Sequence, residues 1–209
     1  MPYGYTGALP NQIKNNSGVF SVADITDLTA KGQAGGSLEL IEEQTADGTS
    51  TTLDFTSLKE NKYDVHLLSI HNLQADTNSF TSTRLSNDGG SSFISTSTYQ
   101  RAYQIGVTNG TFSESRSTGL NYLDLTGGTT SSDAGRSANS YIYFYNLGDS
   151  SKYSFTTSQS FGYEDSGNGW GHFGSAVYPV AETHNAIRIF NNSSNNIFAT
   201  ISLYGIAES

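Results

Sequence analysis

From Gly36 onward the chain repeats one pattern. A short run with alternating apolar and polar side chains is followed by a cluster of Asn, Asp, Ser, Thr and Gly. Alternation of period two gives a strand one buried face, and the polar clusters supply turns, so a chain written this way stacks sheets. The runs are Ser37–Thr45, Thr51–Phe55, Lys62–Leu73, Phe80–Ser86, Thr98–Val107, Asn121–Leu125, Ser140–Leu147, Lys152–Gln159, Phe173–Tyr178, Ala186–Phe190 and Asn196–Ile206. Lys62–Leu73 carries Tyr63, Val65 and Leu67 on one face and Leu68 and Ile70 on the other, which suits a central strand. Asn87-Asp88-Gly89-Gly90 is a hairpin signal, with Phe93 and Ile94 opening the return strand. Roughly ten strands with no helical period between them predict an all-β fold over residues 37–209. The expected form is an antiparallel β-sandwich, jelly-roll-like.

Residues 1–36 are of another kind. Pro2, Pro10, Gly4, Gly7, Asn11, Asn15 and Asn16 break regular structure, while Tyr3, Tyr5, Leu9 and Ile13 are apolar without a period. Two readings stand. The segment is a disordered tail, or it is an extended arm that anchors the chain by laying Tyr3, Tyr5, Leu9 and Ile13 against a neighbour. The aromatic content favours the arm. A short α-helix is expected over 22–31, with Ser21 as N-cap and Asp24 at N3. Phe20 and Ile25 form its hydrophobic staple, and Gly32 is the C-terminal stop. A helix this short needs a surface to pack on.

Charge narrows the partners. The net charge is −9, from 19 acidic and 10 basic residues, and no Lys/Arg cluster offsets it. Such a chain repels phosphate, so neither nucleic acid nor an acidic membrane is an expected partner. With no Cys, disulfides, thiolate metal sites and Cys nucleophiles are excluded. No apolar run reaches the ~18 residues of a membrane span. The start Met-Pro-Tyr-Gly-Tyr has no basic and apolar leader, so synthesis and assembly in a cytoplasm are expected.

Catalytic patterns are weak. The nucleophile elbow G-x-S-x-G is absent. Of the 4 histidines, His66 and His71 point to opposite faces of one strand, and His172 and His184 are distant along the chain. Structural or surface roles are expected for all of them. Glu42 and Glu43 are adjacent on a strand and cannot converge as a glycosidase pair. Glu164, Asp165 and Asn168 lack the spacing of a calcium loop, so no metal or cofactor is expected. The segment Phe161–Phe173, read as a loop, is the candidate ligand or interface site. It holds Trp170, the single Trp of the chain, between glycines, with Tyr163, Asp165 and His172 close in sequence. An exposed Trp170 would stack on a sugar ring, and Asp165 and His172 would bind its hydroxyls. The other reading folds Trp170 over a core edge or into a subunit contact. The strand Ser140–Leu147 is aromatic on both faces, which marks Tyr143 and Tyr145 as a candidate oligomer interface and predicts a homotrimer.

The segments Asn11–Ile25, Gly36-Ser-Leu-Glu-Leu-Ile-Glu-Glu-Gln-Thr, Leu53-Asp-Phe-Thr-Ser, Lys62-Tyr-Asp-Val-His, Arg84-Leu-Ser-Asn-Asp-Gly-Gly-Ser-Ser-Phe and the ending Ala199-Thr-Ile-Ser-Leu-Tyr-Gly-Ile-Ala-Glu-Ser carry a likeness. The chain resembles structural virion proteins of marine tailed bacteriophages, the cyanophage-like group. The resemblance implies a non-enzymatic protein located on the virion, a tail-fibre or appendage module or a capsid decoration protein, with other phage structural proteins as partners. It transfers no functional residue. The alternative reading is a carbohydrate-binding, lectin-like module, with a host-surface glycan as ligand.

Overall fold

The computed structural model describes Ala23, Thr26, residues 38–133 and residues 135–206. Twelve strands follow one another: β1 (Leu38–Asp47), β2 (Thr52–Phe55), β3 (Val65–Ala75), β4 (Thr81–Ser86), β5 (Tyr99–Val107), β6 (Phe112–Leu120), β7 (Leu123–Asp124), β8 (Ala138–Tyr145), β9 (Ser154–Tyr163), β10 (Gly169–Tyr178), β11 (Ala186–Asn191) and β12 (Ile197–Ile206). They form two sheets. The large one has the order β1-β12-β3-β8-β9-β10-β5-β6, and the small one β2-β11-β4-β7. The registered pairs are antiparallel. The all-β expectation holds for residues 38–133 and 135–206. Ala23 and Thr26 are helical and exposed; the rest of the expected helix and the arm residues Tyr3, Tyr5, Leu9 and Ile13 lie outside the described residues.

Alternation decides which side chains meet inside. Leu68 and Ile70 of β3, Ile142 and Phe144 of β8, and Ile201 and Leu203 of β12 point inward from the large sheet. Phe55, Leu85, Ile187 and Ile189 do so from the small one, and all belong to one hydrophobic cluster. β3 is an interior strand, as its two apolar faces predict. Its register slips between Ile70 and Leu73, where Asn72 takes φ 54° and donates its backbone N–H to Asn139 Oδ1 at 3.1 Å. Alternation along β3 leaves His71 exposed while His66 stays buried.

Three strand expectations are corrected. The Asn87–Gly90 turn forms, with Gly89 and Gly90 at positive φ, but no return strand starts at Phe93. Asp88 accepts hydrogen bonds from the Ser92 N–H (2.9 Å) and hydroxyl (2.6 Å), and the buried Tyr99 hydroxyl donates to the Ile94 carbonyl (3.2 Å). The segment is pinned as a loop, and β4 pairs with β11 and β7 instead. Second, Phe112–Leu120 is a strand. It is the edge of the large sheet and buries no face, so its sequence has no apolar alternation to see. Third, Phe161–Phe173 is not a loop. It is the β9–β10 hairpin, paired from Gly169↔Tyr163 to Tyr178↔Ser154, with a short turn between.

Candidate functional site

Trp170, expected on a loop, stands on β10 facing inward and is 5% exposed. The neighbouring glycines explain how the indole fits. A Cβ on Gly128 would lie 2.4 Å from the ring, and one on Gly162 would lie 2.6 Å from it. The missing side chains are the ring's slot. An exposed stacking face at Trp170 is therefore ruled out, and the core-edge reading is the one that fits. Among its expected neighbours, His172 is buried on the same strand, two residues along and on the same inward face. Its Nδ1 lies 3.2 Å from Ser160 Oγ, and its ring meets Tyr103 edge-on at 4.8 Å. Burial, reinforced by the Arg101 charge, pushes the His172 pKa down to about 4. Asp165 sits in the turn. It accepts from the Ser131 hydroxyl, and its carbonyl accepts from Arg136 Nη1 at 3.1 Å. Tyr163 is 43% exposed and donates its hydroxyl to the Gly167 carbonyl at 2.6 Å. Tyr163 and Asp165 thus close a turn, while Trp170 and His172 belong to the interior. The four do not converge on a ligand.

His66 and His184 are equally internal, while His71 is exposed. His66 donates Nε2–H to the Leu58 carbonyl at 2.8 Å and meets Tyr63 edge-on. Ser154, His184 and Glu182 come close to a hydrolase constellation. Ser154 Oγ lies 2.8 Å from His184 Nδ1, and Glu182 Oε1 lies 3.5 Å from His184 Nε2. Ser154 is 2% exposed and His184 fully buried, so no substrate reaches the hydroxyl. The trio ties β9 to the segment before β11. Below β5 and β10 the Arg101 guanidinium bonds to the Asp124 carboxylate, bordering an interior cavity of about 10 Å³ that His172 also lines. Burial works against the Arg101 charge, but the hydrogen bond and charge of Asp124 outweigh it and hold its pKa above the ordinary value. That space is too small for a substrate. Among the described residues no group of three or more His, Asp or Glu could hold a metal ion.

What faces solvent is the outer surface of the large sheet. Tyr141, Tyr143 and Tyr145 form a ladder on β8, with ring centroids 6.1 and 6.4 Å apart. Next to it, across β9, β10, β5 and β6, lies an open trough. Its two adjoining hollows measure about 630 and 410 Å³. The small residues Ser175 and Ala102 are cross-strand partners in its floor, continuing to Thr157 on one side and Arg116 on the other. Phe155 borders one hollow and Phe173 the other; they are 44% and 60% exposed. The sequence could not reveal this place. A trough made by small residues on adjacent strands depends on register, which no single run shows.

No protein-family model matches the chain, and no curated protein matches it. Among solved structures, a xylan beta-1,4-xylosidase from Bacillus Halodurans C-125 overlaps 70% of this chain, which spans 28% of that enzyme's length. The identity is 8% and the TM-score 0.22, a likeness that bears on neither fold nor function.

Proposed function

We propose that the chain is a non-enzymatic structural protein of a tailed-phage virion, displayed on the particle surface as a capsid decoration or a tail appendage module. The observation that carries the reading is the strand order. With the hairpins β5–β6 and β9–β10 set aside, β1-β12-β3-β8 faces β2-β11-β4-β7. Successive strands alternate between these sheets except at β4 to β7, an order that supports reading these eight strands as a jelly roll. That architecture serves viral capsid proteins and lectins alike. The two hairpins widen one sheet and give it a broad solvent-facing surface. Residues 1–36 act as the anchor in this reading, and the β-body faces outward.

The test is location. Antibody raised against the β-body should decorate purified particles in electron micrographs, and the chain should appear among their proteins at fixed stoichiometry; particles lacking it would end the proposal. Removal of residues 1–18 should leave a folded body that no longer joins the particle. Normal incorporation of the truncated chain would show that the anchor lies elsewhere.

Self-association is part of the same reading. The tyrosine ladder on β8 offers three aromatic side chains to solvent while Ile142 and Phe144 fill the core behind it. A closed cyclic contact, a homotrimer, would cover Tyr143 and Tyr145. Sedimentation at micromolar concentration should give the trimer mass, and Tyr143→Asp should shift it to the monomer. A wild-type monomer under those conditions would argue against this interface.

A further inference from the structure

We infer that the trough across β9, β10, β5 and β6 is a binding site for an extended, uncharged oligosaccharide. The inference concerns a surface rather than a place on a particle, and it stands whether or not the chain is a virion protein.

Three features select the ligand. The first is shape. The two hollows share Ala102, Ser175 and Arg116, so they form one open channel rather than a closed pocket. Each lies in the size range of small-molecule sites. Phe155 is paired with Val177 on β10, four residues along from Phe173. The two rings therefore stand roughly 14 Å apart along the strand direction, at ~3.4 Å per residue. That separation calls for a chain of several sugars and not a single one. The second feature is the type of lining. Exposed phenyl faces are electron-rich and attract the partly positive C–H faces of pyranose rings. Gln100 in one hollow and Gln104 in the other each donate and accept, as sugar hydroxyls do.

The third feature is charge. Arg116 and Glu114 are paired with each other at 3.0 Å, and Arg101, which also borders one hollow, is paired with Asp124, so the trough offers no unpaired charge to a ligand. A chain of net charge −9 also repels anionic polymers at a distance. Acidic glycans, nucleic acid and phosphate are thereby disfavoured, and a neutral polyol fits. The floor is rigid. Gly174 has no side chain, and a Cβ there would lie 2.7 Å from His172 Nε2 and 2.9 Å from Tyr103 Cβ. The buried His172 and the half-buried Tyr103 pack directly beneath the floor and hold it in place without a ligand. A preformed floor lowers the ordering cost of binding.

The experiment is a titration of the full chain with neutral hexose, pentose and N-acetylhexosamine oligosaccharides of one to six units, read by calorimetry, with heparin as the acidic probe. At least one neutral series should bind, with affinity rising as the chain lengthens to span both rings. Phe155→Ala and Phe173→Ala should each weaken it at least tenfold. Both side chains are exposed, so their loss leaves the fold intact, which thermal melting will verify. Ala102→Trp, which fills the floor, should abolish binding. No binding by any neutral series, binding that survives both Phe substitutions, or preference for heparin would overturn the inference. So would an Ala102→Trp variant that changes the sedimentation coefficient while leaving oligosaccharide affinity intact, because the trough would then be a contact between copies.

Discussion

Trp170→Ala is expected to lower the stability of the β-body by ~3–5 kcal/mol, the usual cost of deleting a large buried aromatic. Trp170 is the one residue of its type in the chain and is 5% exposed. Its ring lies where the side chains of Gly128 and Gly162 would otherwise be, so neighbours cannot collapse into the gap without moving backbone. One term works the other way. The indole N–H is buried with no hydrogen-bond partner among the described residues, and removing it relieves an unmet donor worth ~1–3 kcal/mol. The lower half of the range is therefore expected. In a domain of this size the melting temperature should fall by the order of 10 °C. Urea unfolding should show a lower midpoint at unchanged slope. Gly162→Val attacks the same slot from the opposite wall and should be at least as damaging. A loss below ~1 kcal/mol for Trp170→Ala would mean that the ring is not the keystone of that end of the core. Oligosaccharide binding in the trough should survive the substitution in whatever fraction remains folded, because Trp170 faces the other side of the sheet.

The same glycines show where a reading of the sequence falls short. Gly162, Gly169 and Gly171 look like loop residues because glycine is the usual turn former. In β9 and β10 they are strand residues, and Gly162 and Gly174 make room for Trp170, His172 and Tyr103. Strands with one buried face were legible because burial imposes alternation. β8 announces itself through Ile142 and Phe144 inside and the tyrosines outside. β6 was invisible because Phe-Ser-Glu-Ser-Arg-Ser-Thr-Gly-Leu buries nothing and pairs along one edge only. Asn87–Gly90 was legible as a turn but not as a loop entry, since the Tyr99 hydroxyl stands between the would-be partners, accepting from the Leu85 N–H and donating to the Ile94 carbonyl. The spacing of His66 and His71 set them on opposite faces of β3, one buried and one exposed, but it could not show that His172 and His184 are interior. The trough was not legible either, because Ala102 and Ser175 are unremarkable until the register sets them side by side.

The second large effect is acid lability above the range where carboxylates titrate. His66, His172 and His184 are buried in the fold, and burial lowers the pKa of each below the ordinary 6.5. For His66 the desolvation is partly offset by the Leu58 carbonyl and by Glu60 and Asp64, and for His184 by Glu182. His172 has no such relief. Its charged neighbour is the Arg101 cation, whose partner Asp124 is already engaged, and its pKa falls to about 4. The unfolded chain binds a proton at each ring near 6.5, and the folded chain does so only at lower pH. Between those values the unfolded state holds more protons, so stability is full above pH ~7 and declines as pH falls. His172 alone should remove on the order of 2–3 kcal/mol by pH 4.5, and the other two add to it. Asp88 and Asp149, held at about 2 by their Ser92 and Ser151 hydrogen bonds, lie outside this window. Urea unfolding at pH 7.5, 6.0, 5.0 and 4.5 should therefore show a steady decline. His172→Gln, neutral throughout, should flatten its slope even if the variant is weaker at pH 7.5. Equal stability at pH 7.5 and 4.5, or a slope unchanged by His172→Gln, would show that the buried rings do not control the acid response. A loss that begins only below pH 4 would assign it to the carboxylates.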